Sequence, residues 1–551
     1  MIAPTRRLTA CLILAAPLWG GALGAQEPTN PKLADAKPGV TKPSIAKPGA
    51  VNTVTGATVA KPAFITPPSA LPNPDPELSA TCQVSLNQIR ELDTKIPKSF
   101  QGVRNIEELA ENMAKCTQLC RQFLDECPGR SAEQYVERLL GRMLLGTSSH
   151  YRQDLFKKLR AQGLESNELR SRGAAVMDAY FAELRQHVAV AYAACEENTV
   201  EHFMTLLLSI DLNTQSGTGK EMEGHVTRMA KQYPTYPLIG EQMFKVGKAY
   251  VADGNYAGAV RYMDRVIAER KDDPWYVIFN IALFDGLQGT AQFDRMLKLM
   301  NTIETDYPKL FPKLVGIPLA QAQQWYDVSG FWRGFAKYSL GDTTGALEEF
   351  VRNESHLSKK VAALEGAGRP VDPVIKVYLD FRTRDFIQVL NDFHGKPPAV
   401  DLELASLWAT DEKVTLANSK GKVVVVLFRE PGHLRSREFY QDLDRYVTDH
   451  ASDEIVGVTV SYLMGTRASD RDQKAILKMQ LEMSELGVSM AGGYDPDPKK
   501  HPIFRAMHGT VGPSASCVVF DRKGEFAWYL FDPRNMDRNI ARSVLERLLK
   551  E

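Results

Sequence analysis

The chain has 551 residues, 44% hydrophobic and 24% charged, with 67 basic residues balancing 67 acidic ones. That length exceeds one ordinary domain, and the composition suffices for folded cores. A formal charge of zero supplies no electrostatic case for a nucleic acid or an anionic membrane as partner.

Residues 1–25 read as a secretory signal peptide. Arg6 and Arg7 make the positive end, Leu8 to Leu18 a short apolar core, and Ala22-Leu-Gly-Ala25 a small-residue cleavage site. The core is shorter than the roughly 20 apolar residues of a membrane-spanning helix, and no other stretch reads as transmembrane. Leu8-Thr-Ala-Cys11 mimics a lipoprotein box, but no apolar stretch precedes it. The mature protein is expected to be exported, to a bacterial periplasm or beyond. Residues 26–79 then hold eleven prolines, with Lys-Pro at 37–38, 42–43, 47–48 and 61–62. Such a segment cannot bury a core and favours extended polyproline II stretches, so a disordered linker is expected.

Residues 80–392 are predicted almost wholly helical. Ile106, Leu109, Met113, Cys116, Cys120, Phe123 and Cys127 recur at helical spacing as one apolar stripe, which Pro128 ends. Ser131-x-x-Gln134 has the form of a capping box for the next helix, with Tyr135, Leu139 and Met143 on its face. A longer helix is expected through Ala174 to Ala194. Farther on stands Met243-x-x-Val246-Gly247-x-x-Tyr250-x-x-x-Gly254-Asn-Tyr256-x-x-Ala259-x-x-x-Met263-x-x-Val266. This resembles a tetratricopeptide (TPR) repeat: small residues let two antiparallel helices approach, and Gly254 sits in the turn. Gly334, Gly341, Ala346 and Phe350 repeat the pattern, with Lys337 where an aromatic is usual. The resemblance implies helix pairs over about 236–355 and a concave surface for a protein or peptide. The two turn glycines are 87 residues apart, which does not divide into clean units of about 34 residues.

Residues 395–551 change character. Val423 to Phe428 is a continuous β-branched and apolar run, as in a strand covered on both faces. Pro431-Gly432 breaks it, and Phe439, Leu443 and Val447 then fall on one helical face. Lys413–Leu416 and Glu454–Leu463 are predicted strands, and 470–486 a helix. Ser516–Phe520, the Asp521-x-x-Gly524 turn and Glu525–Phe531 form a hairpin, and Asn535–Leu549 a closing helix. Gly421-Lys-Val through Phe428, the entry at Gly395-Lys-Pro-Pro-Ala-Val400 and the hairpin resemble the thioredoxin-like superfamily, redoxin type. Thiol reductases of cytochrome maturation and alkyl hydroperoxide reductases belong to it. The fold class is therefore multidomain: an all-α, TPR-like domain followed by an α/β thioredoxin-like domain.

In that superfamily a Cys-x-x-Cys pair follows the strand at the head of the helix. His433 and Ser436 stand there, and the peroxidatic cysteine is also missing. Neither residue can supply a thiolate at a helix N-terminus or resolve a mixed disulfide. Pro513 is the candidate for the family's cis-proline. His433, Arg435 and Arg437, near Arg429, offer a helix N-terminus that could hold an anion or a peptide; the rival reading is a solvated loop. Cys517 is the domain's one cysteine, flanked by Val518 and Val519: either an inert buried thiol or a residual redox group.

Cys82, Cys116, Cys120, Cys127 and Cys195 are disulfide candidates if the chain is exported. Cys120 and Cys127 lie about 10 Å apart along a helix, beyond disulfide reach. Partners for the helix are then sought elsewhere, in Cys82 and Cys195, and the connectivity stays open. No metal site is expected; the rival, Cys116 and Cys120 with a nearby His, lacks the paired Cys-x-x-Cys of zinc sites. No cofactor motif, Gly-rich phosphate loop or His-Glu-x-x-His is present. The leading expectation is an exported, non-catalytic adaptor for a protein or peptide. The alternative is a thiol-disulfide oxidoreductase or peroxidase-like protein using an isolated cysteine. A third reading is an envelope element whose linker crosses a polymer layer. The sequence carries no signal for oligomeric state.

Overall fold

A computed structural model of the chain describes residues 78–96, 106–127, 132–164, 166–197, 199–216, 218–314, 316–408, 414–429, 437–450, 454–461, 487, 489–495, 502–508, 516–531 and 533–551. The expected signal peptide, residues 26–77 of the expected linker, the Ser131 cap and the helix expected over 470–486 lie outside them. The chain divides into two compact units, one ending at Met177 and the other spanning Asp178–Glu551.

The first unit is built from α1 (Ala80–Lys95), α2 (Ile106–Glu126), α3 (Glu133–Ala161) and the start of α4 (Ser166–Ala194). The Ser79 side chain caps α1 by accepting the Cys82 N–H at 3.2 Å. Met113, Cys116, Cys120, Phe123 and Cys127 are buried, as their spacing on α2 requires. Leu86 and Ile89 of α1, and Val136, Leu140 and Met143 of α3, complete that core. A disulfide joins Cys82 to Cys127, with Cα atoms 6.0 Å apart.

The second unit continues through α5 (Val200–Ser216) and α6 (Gly219–Gln232) into three successive helix pairs. These are α7 (Ile239–Ala252) with α8 (Tyr256–Glu269), α9 (Tyr276–Gly289) with α10 (Phe293–Leu310), and α11 (Gly316–Leu340) with α12 (Thr343–Gly366). One turn geometry recurs in all three. Asn255 N–H donates to Tyr250 O at 2.9 Å, Gln292 N–H to Leu287 O at 3.0 Å, and Asp342 N–H to Lys337 O at 2.9 Å. The residue before each donor has positive φ: Gly254 at 70°, Ala291 at 53° and Gly341 at 92°. This is the left-handed helix-ending position that glycine fills without strain. Because Ala291 occupies it in the middle pair, the glycine pattern of the sequence passes over that pair. Ala291→Gly is expected to stabilise the protein by about 1 kcal/mol, by removing left-handed strain from a residue with a Cβ. Unfolding in urea checks this; a destabilised variant would show that the turn is not strained.

Helix α9 is buried from Val277 to Gly289, and so is apolar all round rather than amphipathic. At its end a Cβ on Gly289 would lie 2.2 Å from the Tyr256 ring, so only glycine lets α8 approach. Beyond α12, the segment Pro373–Phe393 is helical throughout. Two wider π-type turns, Leu379–Thr383 and Val389–Phe393, flank α14 (Arg384–Gln388), which follows α13 (Pro373–Tyr378).

The sheet contains β1 (Ala405–Trp408), β2 (Val423–Arg429), β3 (Ile455–Ser461), β4 (Ala491–Tyr494), β5 (Ser516–Phe520) and β6 (Phe526–Phe531), in the order β1-β4-β3-β2-β5-β6. Strands β2, β3 and β4 are parallel; β5 runs antiparallel to β2, β6 to β5 and β1 to β4. Helix α15 (Arg437–Asp449) connects β2 to β3, short α16 (Pro502–His508) precedes β5, and α17 (Arg538–Lys550) follows β6. A β-α-β unit followed by a β-β-α unit, with the first strand central, is the thioredoxin-like arrangement expected from the sequence. The β2 run Val423–Phe428 is buried on both faces, and Gly524 closes the β5–β6 turn with φ 81°.

Two strand assignments differ. Residues 414–416 do not extend into a strand, because the Asp401 carboxylate takes their turn's donors: Leu416 N–H at 2.6 Å and Ala417 N–H at 3.3 Å. The sheet's edge is instead β1. Strand β4 has only four residues, Ala-Gly-Gly-Tyr, too short and glycine-rich to stand out by periodicity.

The helices and the sheet share one compact unit, and the β6–α17 side of the sheet docks on the helical pairs. Gln288 Nε2 donates to Asp537 Oδ1 at 2.7 Å, and Asn539 Nδ2 to Gly289 O at 2.6 Å. Phe386 packs its ring 5.4 Å from Tyr529 and 5.1 Å from Phe350, joining sheet and helices in one aromatic core. Trp325, Phe331 and Trp332 are buried in the same helical core.

Candidate functional site

The expected site lies between β2 and α15. The parallel strands end together: Arg429 pairs with Ser461, and Ser461 with Tyr494. Open α/β sheets take ligands at this carboxyl edge. His433, Arg435, Ser436 and Pro513 lie outside the described residues. Arg437 is the first residue of α15. The helix is anchored beneath the edge by Phe439, Tyr440, Leu443 and Val447, all buried, and Tyr440 OH reaches Phe428 O at 3.5 Å. Two hydroxyls near this edge, Thr459 Oγ1 and Ser516 Oγ, are buried without a partner among the described residues.

Cys517 faces Leu427 across the β2–β5 ladder. It is wholly buried, and burial pushes its thiol well above the ordinary cysteine range. A thiol that is neither exposed nor ionised is a poor nucleophile.

At the far end of α15 a polar cleft of about 320 Å³ is lined by Asp444, Arg445, Asp449 and Ser489, among others. The Asp444 carboxylate there accepts the Ser489 and Met490 N–H groups at 2.8 and 2.7 Å, tying the start of β4 to α15. This cleft opens beside the C-terminal half of α15, so it belongs to the end of the helix opposite the loop after β2.

In the first unit, the cysteines divide into a bridge and a thiol pair. Cys82 and Cys127 are bonded, while Cys116 and Cys120 are buried thiols. Cys116 and Cys120 shift each other's acidity: Cys120 lowers the pKa of Cys116, while Cys116 and burial raise that of Cys120. Cys195, the other partner considered for the helix, is a thiol within 3.5 Å of Thr205 Oγ1. Among the described residues, no three His, Cys, Asp or Glu side chains gather as a metal would require.

Sequence reasoning missed the polar contact at the docked face of the sheet. Tyr529 OH of β6 donates to Asp385 Oδ2 of α14 at 2.9 Å. Asp385 is 4% exposed and its other oxygen has no partner. Burial pushes its carboxyl up to about 7, against the opposing pull of the Tyr529 hydrogen bond and of Arg382. Arg382 itself lies over the Phe531 ring, 4.8 Å from its centre. The signal existed: Asp385 falls seven residues after Tyr378, on the apolar face that also holds Phe386 and Val389.

No family model matches the chain, and no curated protein matches it. Solved structures do align with part of the chain. A thioredoxin-like superfamily protein is 17% identical over 28% of this chain and 98% of its own, with a TM-score of 0.24. A candidate thiol:disulfide interchange protein DsbE from Chlorobium tepidum is 16% identical over 28% of this chain and 99% of its own, TM-score 0.23. A DsbF homologue from Corynebacterium diphtheriae is 20% identical over 28% of this chain and 86% of its own, TM-score 0.22. The class itself follows from the strand order and directions described above: an all-α part followed by a thioredoxin-like α/β sheet. None of the described helices is long and apolar enough to cross a membrane.

Proposed function

We propose that the chain is an exported adaptor, which binds a protein or peptide through its helical pairs and a thioredoxin-like domain without a dithiol. The observation that carries this reading is the burial of Cys517, the only cysteine of residues 395–551, in a chain with His433 and Ser436 where the dithiol would be. Dithiol exchange needs an accessible thiolate and a resolving cysteine, and the sheet domain offers neither. The helical pairs, joined by one repeated turn, support the tetratricopeptide-like assignment and with it a surface for an extended partner. The Cys82–Cys127 bridge supports an oxidising compartment, as the reading of residues 1–25 as a signal peptide requires. On this reading the working boundaries are residues 80–392 and 395–551, tethered by residues 26–79. His433, Arg435 and Arg437 then frame the peptide or anion contact beside Pro513.

The test is a disulfide-reduction assay on the mature chain, on Cys517→Ser and on a His433→Cys/Ser436→Cys double variant. Wild type and Cys517→Ser are expected to stay at the uncatalysed rate. The double variant restores the dithiol at the head of α15 and is expected to gain activity at least tenfold over that rate. Reductase activity in the wild type that Cys517→Ser removes would overturn the adaptor reading in favour of an oxidoreductase.

A further inference from the structure

Histidine is the side chain whose charge changes closest to neutral pH, and two histidines meet one tyrosine where the end of α4 reaches α5 and α6. His202, near the start of α5, is only 2% exposed. Its Nδ1 lies 2.9 Å from the Tyr233 hydroxyl, just past the end of α6, and that hydroxyl reaches Thr199 O at 3.3 Å. The His202 ring also stands 5.2 Å from the ring of Tyr192, on the last turn of α4, with a tilt of 37°. His225 of α6 meets the same tyrosine edge-on, with ring centres 6.2 Å apart. Arg228, about one turn farther along α6, holds its guanidinium 5.3 Å from the centre of the Tyr192 ring and donates to the Tyr192 hydroxyl. Tyr192 thus links the end of α4 to both α5 and α6. Phe203, beside His202 in the chain, packs 5.0 Å from the rings of Tyr233 and Tyr236, so the surroundings of His202 are aromatic rather than aqueous.

We propose that Tyr192, His202, His225 and Arg228 form an acid-sensitive latch, which holds the end of α4 on α5 and α6 while both imidazoles are neutral and releases it when they are protonated. Arg228 already sets one positive charge against the Tyr192 ring. Protonating both histidines would gather three cations around that one side chain. The charged groups facing the imidazoles are Glu197, between α4 and α5, for His202; Glu221, on the first turn of α6, for His225; and Arg228 for both. Burial is the largest influence on each imidazole and holds both below the ordinary value of 6.5. Arg228 outweighs Glu221 at His225; Glu197 outweighs Arg228 at His202, yet the net direction there is still downward. The released state therefore binds protons more readily than the latched one. The latch contributes fully above about pH 6.5, and its contribution is lost as the pH falls through the latched values. Acid opens this end of the helical part, whereas at the docked face of the sheet it favours the folded state through Asp385.

Because the two effects of acid oppose each other, the readout has to be local. Hydrogen exchange of the full chain, mapped by mass spectrometry at pH 4.5 and 7.5 and corrected for intrinsic rates, provides it. Amides of residues 184–194 and 200–206 are expected to lose protection by about tenfold or more at pH 4.5, while those of α9 stay within about threefold. His202→Gln/His225→Gln takes up no proton but keeps polar amides beside Tyr233 and Tyr192. Its protection in the same two segments should agree between the two pH values within about twofold. One measurement on the wild type stands apart from how that variant folds. Histidine-selective labelling and NMR should give titration midpoints below 6.5 for both His202 and His225, each resonance being assigned by its loss in the single His→Gln variant. Arg228→Gln should raise the His225 midpoint. A midpoint at or above 6.5 for either imidazole, protection unchanged at pH 4.5, or an equal loss of protection in the double variant would each overturn the latch.

Discussion

Stability of the second unit is expected to fall as the pH rises from about 4 to 7, and Asp385→Asn should remove most of that fall. The Asp385 carboxyl, ordinarily near 3.8, is pushed up to about 7 by burial between α14 and β6. In the interval between those values the folded state holds a proton that the unfolded state has released. Folding is then favoured by acid: the contribution is fully present below the unfolded value and lost as the pH passes through the folded one. The gap corresponds to about 4 kcal/mol at most. Asparagine cannot ionise but keeps an acceptor oxygen for Tyr529 OH. Urea unfolding, followed by the emission of buried Trp325, Trp332 and Trp528, measures the effect from pH 4 to 8. The difference between wild type and variant isolates this group from every other titration. It should move toward the variant by as much as the full 4 kcal/mol; a difference independent of pH would show that Asp385 is ionised normally at the docked face.

Cys82→Ala/Cys127→Ala should destabilise the first unit by about 4 kcal/mol. The bridge spans a sequence separation of 45 residues, and closing a loop of that size removes about 4 kcal/mol of chain entropy from the unfolded state. Alanine leaves no buried hydroxyl, so the lost bridge dominates the change. Hydrogen exchange of the α1, α2 and α3 amides reads this unit separately from the rest of the chain. Protection there should drop by up to about a thousandfold, while the helical pairs and the sheet keep theirs. Protection within threefold of wild type would mean that the bridge contributes nothing to the fold.

The parts of the molecule visible in the sequence are those where one local pattern determines one outcome. Val423 to Phe428 can only be a strand covered on both faces, and the Asp521-x-x-Gly524 turn can only close a hairpin. The α2 stripe at helical spacing buries Met113, Cys116, Cys120, Phe123 and Cys127, and Gly254 and Gly341 mark turns because glycine is the usual left-handed residue. The middle helix pair was hidden because Ala291 accepts the same φ at a cost paid by its surroundings. Lys413–Leu416 reads as a strand, yet the Asp401 side chain captures the Leu416 and Ala417 amides. The glycines of β4 erase the alternation by which a strand is recognised.

Most of the candidate site's chemistry was legible as a substitution: His433 and Ser436 mark what the sheet domain lacks, and neither needs a neighbour to be read. By itself the sequence determined the order of helical and sheet parts and the absence of a dithiol after β2, because these rest on residue type and period. Tertiary structure alone decided that Cys82 bonds Cys127 and that β6 and α17 dock on the helical pairs. It also decided that Asp385 is buried against Tyr529. Those outcomes depend on distances between residues far apart in the chain and on removal from water, and neither quantity exists until the helices and the sheet have packed.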